Sequence, residues 1–248
     1  HSALLPSFDI YLHFYLLRSM NFAALFHKHQ HTFAQIVPLK TSDKLYSLDL
    51  TAANTALTRE ILDNADAMTT FIRHELGRTG TRYAIGGYAE HRNLYDQHPN
   101  FGTGHEEPRR LHLGIDIWGS AGTPIFAPLE GRVHSFKNNP AFGDYGGTII
   151  MQHELDGDSF HTLYGHLALK SLEGLYEGKT ISTGECLAEF GEPHENGNWS
   201  PHLHFQVICD MEGAWGDYAG VCRLSERERY LANCPDPDGI LGLNRFCG

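Results

Sequence analysis

Apolar and polar positions follow two rhythms along this chain. Between Asn64 and Gly77 the apolar residues Ala65, Met68, Phe71, Ile72 and Leu76 recur every three to four positions, which predicts a helix capped by Asn64 and ended by Gly77. From Leu111 onward short β-type runs are punctuated by Gly and Pro, at residues 124–127, 131–136, 148–153, 160–166, 187–190 and 203–208. Asp156-Gly157 between the third and fourth runs is a hairpin signal and predicts that those two strands pair. Apolar clusters before Pro38 predict one helix around residues 8–26, and Ser225-Glu226-Arg227-Glu228 predicts a capping box opening a short helix through about Ala232. The sum is an α+β protein: a helical N-terminal region over residues 1–104 leans on an antiparallel β core over residues 105–248, which ends in that short helix.

Alternation in the last of the runs brings in chemistry. Residues two apart on a strand share a face, so His202 and His204 project together while Leu203 and Phe205 enter the core. Two imidazoles on a buried face need a metal ion, a carboxylate or a substrate as partner. Spacing alone is weak, because seventeen histidines in 248 residues give about one His-x-His pair by chance. Two further pairs, His27-Lys28-His29 and His29-Gln30-His31, lie in a polar segment without a nearby carboxylate or Cys and read as solvated.

Upstream, His112, Gly114 and Asp116 share a face in extended chain, and only glycine leaves room there for something held by both neighbours. His112, Asp116 and one of the His202/His204 pair make three N/O ligands, a set that suits one catalytic zinc per chain. No His-Glu-x-x-His helix supplies a glutamate base, so the proton acceptor is the other member of the pair or His166. His134, His153 and His161 read as core or surface residues and not ligands, His91, Arg92 and Tyr95 as solvated loop residues with the edge of a substrate groove as the alternative, and His105 as a neighbour of the site.

Composition narrows the partners. The formal net charge of −11, with no basic run longer than Arg109-Arg110, argues against nucleic acid and an anionic membrane surface. Five cysteines, an odd number without a C-x-x-C pair, argue against a disulfide framework and for a reducing compartment. Asp9, His13 and Arg18 interrupt the apolar patches of residues 1–26, so neither a secretory signal nor a membrane span is expected. Met20 reads as the native start. The expected location is cytoplasmic, with a periplasmic or extracellular one as the alternative.

In order along the chain, His112-x-x-x-Asp116, Tyr164-Gly165-His166-Leu167 and His202-Leu203-His204-Phe205 resemble the lysostaphin/LytM-type zinc endopeptidases over roughly residues 110–210. The flanks around Thr123-Pro124, Gly143-Asp144-Tyr145 and Gly178-Lys179-Thr180 agree. The resemblance implies a core with barrel-sandwich character, zinc on His112, Asp116 and His204, and His166 with His202 as the pair that deprotonates water and stabilises the oxyanion. It implies a metallopeptidase acting through a zinc-activated water, with a peptide or peptidoglycan fragment as substrate. The chain departs from the family's usual Gly/Ser/Thr-rich loop at residues 192–201, where Glu192, Glu195 and Trp199 are expected to reshape one groove wall. The competing reading is a non-hydrolytic, metal-containing binding or regulatory module on the same scaffold. A biotinyl- or lipoyl-type carrier, suggested by the turn around Leu129-Glu130-Gly131, lacks the lysine turn that chemistry requires.

Overall fold

A computed structural model describes residues 22–92 and 107–247. The predicted helix over 8–26 therefore lies mostly outside the described residues, as do Tyr95, His105 and the boundary between residues 104 and 105. The first part of the chain carries α1 (residues 22–29), β1 (Leu45–Ser47), α2 (Arg59–Leu62), α3 (Ala65–Thr79) and β2 (Tyr83–Gly86). Ten strands and two helices follow among the described residues: β3 (Leu111–His112), β4 (Ile115–Trp118), β5 (Pro124–Phe126), β6 (Gly131–Asn139), β7 (Gly146–Leu155), β8 (Asp158–Leu167), β9 (Thr180–Ile181), β10 (Cys186–Glu189), β11 (His202–Ile208), β12 (Val221–Cys222), α4 (Arg227–Asn233) and α5 (Asp238–Leu241).

Eight strands form one sheet in the order β1-β2-β4-β11-β8-β7-β6-β9. Its pairings are antiparallel apart from β1 with β2. β1 and β9 are its two edges, and among the described residues the sheet does not close into a barrel. No described helix is long and apolar enough to cross a membrane.

β11 runs through the middle, and its register fixes the chemistry. His204 stands opposite Asp116 of β4 on one side and Gly165 of β8 on the other. Leu203, Phe205 and Val207 bury themselves in the main core with Ile115, Ile117, Tyr164 and Phe190. The other face carries His202 and His204 between two smaller clusters. One gathers Trp118, Ala84 and Val221 against Met68 and Ile72 of α3; the other gathers Leu113, Tyr145, Leu163, Ile208 and Tyr218.

Local signals held where the backbone had no competing partner. Asn64 caps α3, its side chain accepting from the N–H groups of Asp66 and Ala67, and Asp156 and Gly157 both take positive φ in the β7–β8 hairpin. Two predictions need correction. α3 runs past Gly77 and ends at Gly80, the residue that turns left-handed at φ 66°. The Ser225 box does not form, because the backbone N–H and hydroxyl of Ser225 both donate to the Glu107 carboxylate. A 3-10 turn, Leu224–Glu226, precedes α4 instead.

Candidate metal centre

His112 and Asp116 come from β3 and β4, consecutive strands separated by Leu113 and Gly114, while His204 reaches them from β11. Gly114 is required here, since a Cβ on it would lie 2.7 Å from the His204 ring and 2.7 Å from the Phe205 carbonyl oxygen. His112 Nε2, His204 Nδ1 and Asp116 Oδ1 form a triangle with sides of 3.0, 3.0 and 3.3 Å. Tetrahedral bonds of ~2.0–2.1 Å would set such ligands ~3.3 Å apart. Among the described residues this is the one group of three or more His, Cys, Asp or Glu side chains that could hold a metal, and all three are buried.

Hydrogen bonds to fixed acceptors set the tautomer of each ring. His112 Nδ1 donates to the Gly87 carbonyl at 3.1 Å, leaving Nε2 bare. His204 Nε2 donates to Gln206 Oε1 at 2.9 Å, and Gln206 is locked that way round because its own amide donates to the Ala219 carbonyl at 3.1 Å. Burial, followed by the nearby Arg92 charge, holds His112 at about 4, so at neutral pH it carries no second proton. Burial pushes Asp116 up, but His112 and Arg92 outweigh it and keep its carboxyl well below the usual range. Two imidazole nitrogens and a carboxylate oxygen thus converge on one point, a donor set that calls for a cation and fits one zinc per chain.

His166 and His202 lie beside this triangle, their ring centroids 4.1 Å apart. His202 Nδ1 donates to the Ser200 carbonyl at 2.7 Å and His166 Nδ1 to the Asn196 carbonyl at 2.8 Å. Their Nε2 atoms are therefore free to accept, and His202 Nε2 lies 4.0 Å from Asp116 Oδ1. Burial pushes both rings below the ordinary histidine range. His166 takes φ 63°, a left-handed conformation that a side-chain-bearing residue holds only when its surroundings impose it. The Trp118 indole stacks on His202 at 5.4 Å.

The site opens into a cleft of about 830 Å³. Trp199 lines it, as expected for the divergent loop, with its indole N–H donating to the Asp144 carbonyl at 3.2 Å. Glu195 does not reach this cleft; it turns back to accept from the Leu169 and Glu192 N–H groups. His91 is exposed and takes no part. Arg92 is not the solvated loop residue that the sequence suggested first: it lines the cleft, as the alternative had it, and is fully buried, donating to Asp116 Oδ2 at 2.5 Å. No periodicity signals that contact, whereas Gln206, also overlooked, shares the even-numbered face of β11 with both histidines.

The sequence profile of peptidase family M23 matches residues 110–213. Over 99 residues, 40% of this chain and 20% of its relative, the chain is 34% identical to the DD-carboxypeptidase/endopeptidase Mpg of Neisseria meningitidis. Over 111 residues, 41% and 23% of the two chains, it is 29% identical to the peptidoglycan DD-endopeptidase ShyA of Vibrio cholerae. Lipoprotein NlpD of Yersinia enterocolitica is 35% identical over 92 residues, 37% of this chain and 84% of that one. The chain spans about a fifth of the length of the curated enzymes it matches first.

These relatives overturn the cytoplasmic expectation, because peptidoglycan is a cell-wall polymer outside the cytoplasmic membrane and a lipoprotein is a membrane-anchored one. The cysteines misled. Cys209, Cys222 and Cys234 are buried and form no disulfide, and a thiol shut into a core is inert whatever the compartment.

Proposed function

The chain belongs to peptidase family M23, and from that premise we propose that it is a zinc-dependent hydrolase of peptide bonds in peptidoglycan-type peptides. In this reading residues 105–248 carry the reaction and residues 1–104 brace it. His112 Nε2, Asp116 Oδ1 and His204 Nδ1 would hold the metal. The observation that carries the reading is the convergence of these three donor atoms at 3.0–3.3 Å from one another. Bound there, zinc supplies a Lewis acid that acidifies water and polarises the scissile carbonyl.

The chain's own residues supply the proton handling. His166 and His202 are kept neutral by burial, and each has its Nδ1 proton fixed on a backbone carbonyl, so each presents an Nε2 lone pair to the cleft. One of these accepts a proton from the attacking water. The ring that takes this proton becomes an imidazolium, donates toward the oxygen where negative charge develops and then passes the proton to the leaving amine nitrogen, while the neutral partner orients the water by accepting from it. Trp118 holds the His202 ring plane, and the Asn196 carbonyl holds His166.

Replacing His166 with Ala is expected to lower turnover of muropeptides by ~10²–10⁴-fold, the usual worth of a positioned acid or base, while leaving zinc near one per chain. Wild-type turnover in this variant would remove His166 from the mechanism. A second reading, a metal-holding binding or regulatory module, is favoured by one observation: the relative covered over 84% of its length is named a lipoprotein and not a peptidase. Stoichiometric zinc without cleavage of any member of a broad peptide and muropeptide library would select it.

A further inference from the structure

The metal centre draws on a stretch of chain outside the family match. That match begins at residue 110. Yet the Gly87 carbonyl orients His112, the Glu90 carbonyl accepts from the His112 N–H at 3.0 Å, and Arg92 reaches Asp116. We propose that Arg92 is a positioning residue that holds Asp116 as a ligand through one oxygen and thereby sets the affinity and coordination of the metal, with Glu90 as its brace.

Geometry carries this. Asp116 Oδ1 sits in the ligand triangle, while Oδ2 is taken by Arg92 Nη1 at 2.5 Å, so the carboxylate presents a single oxygen to the metal. The guanidinium is fully buried, which a protein tolerates only where carboxylates pair it. Glu90 Oε2 accepts from Arg92 Nε at 2.6 Å, and its other oxygen accepts from the Leu50 N–H at 3.1 Å, tying the pair to the cluster under α3. A planar fork can engage Glu90 through Nε and Asp116 through Nη1 together, and a lysine cannot.

The slot is shaped for that fork. A Cβ on Gly86 would lie 2.7 Å from Arg92 Nη2 and 2.6 Å from the Trp118 ring, so glycine lets guanidinium and indole pass. The guanidinium carbon lies 5.8 Å from the Trp118 ring centre. The same indole stacks on His202, so one assembly orients a metal ligand and a proton-handling residue. With Arg92 offsetting the Asp116 charge, a dication in the triangle stays electron-poor, which favours polarising a carbonyl.

The inference rests on the ligand assignment above, and the test separates the two. Zinc affinity of the whole chain is measured by competition with a chromophoric chelator, and coordination by the visible spectrum of the cobalt-substituted protein. Arg92→Lys is expected to lower zinc affinity ~10–100-fold, the usual cost of removing a partner of a ligand. Its cobalt bands should weaken as Asp116 binds through both oxygens and the coordination number rises. Glu90→Ala should shift both in the same direction by less. Wild-type affinity and an unchanged cobalt spectrum in folded Arg92→Lys overturn the proposal. Where Arg92→Lys does not fold, the same unchanged pair of readings in Glu90→Ala overturns it. A wild-type chain that takes up no zinc overturns the ligand assignment, and this proposal with it.

Discussion

His112, His166, His202 and His204 at the proposed metal centre can be set against His134, His153 and His161 on the neighbouring strands β6, β7 and β8. Burial pushes His112, His153 and His161 alike down to about 4, so a depressed pKa does not separate the groups. The use of the ring nitrogens does. His153 spends both, Nδ1 against the Glu130 carbonyl at 2.8 Å and Nε2 against Thr162 Oγ1 at 2.7 Å. His134 pairs with Ser135 Oγ at 2.8 Å and meets the His161 ring edge-on at 4.9 Å, with no carboxylate completing a ligand set. Each ring at the metal centre spends one nitrogen on a fixed acceptor and turns the other toward a shared space with Asp116. What sets the proposed site apart is convergence of unspent donor atoms and not histidine density.

Removing one residue from each group separates them most strongly. Asp116→Ala should take zinc from about one per chain to near none and abolish hydrolysis, because two neutral imidazoles alone hold the dication poorly. His153→Gln should keep zinc and hydrolysis while losing stability. Metal analysis of the two folded variants decides, and loss of zinc from His153→Gln would erase the distinction between the groups.

A smaller effect appears with pH. His153 has a folded value of about 4 against ~6.5 for an exposed histidine, so the unfolded chain takes the proton more readily. Its contribution to stability is therefore fully present above pH ~6.5 and is lost as pH falls from ~6.5 towards ~4, a change of roughly 3 kcal/mol over the window. Urea denaturation at intervals across that range should show a steeper acid loss in the wild type than in His153→Gln. Equal slopes would mean that His153 is not the buried neutral group described here.

What the sequence disclosed follows the same physics. Strand alternation placed His202 and His204 on one face, and the 112/114/116 spacing pointed to a glycine that leaves room between its neighbours, room that the His204 ring and the Phe205 carbonyl take up. Arg92 escaped because its role needs Asp116, 24 positions away, to fold against it. Ser225 escaped for a related reason: its capping partner was outcompeted by Glu107, 118 positions earlier. Gly77 and Gly80 could not be ranked as helix ends from composition, since only the backbone shows which one adopts positive φ. Long-range partners, invisible in a local pattern, account for each of these misses but the last.

The other His-x-His strings lack such convergence among the described residues. Residues two apart share a face on a strand but lie ~200° apart around an α-helix. His27 sits in α1, His29 at its end and His31 in the following 3-10 turn, so their rings do not converge. His29 instead meets Asp156 of the β7–β8 hairpin at 2.9 Å, beside Lys28 at 2.6 Å, an exposed pairing that water screens. Replacing His27, His29 and His31 together with Ala should leave zinc near one per chain and the melting temperature unmoved within measurement. A second equivalent of zinc lost on that replacement would show that the spacing itself, without a strand to align it, can recruit metal.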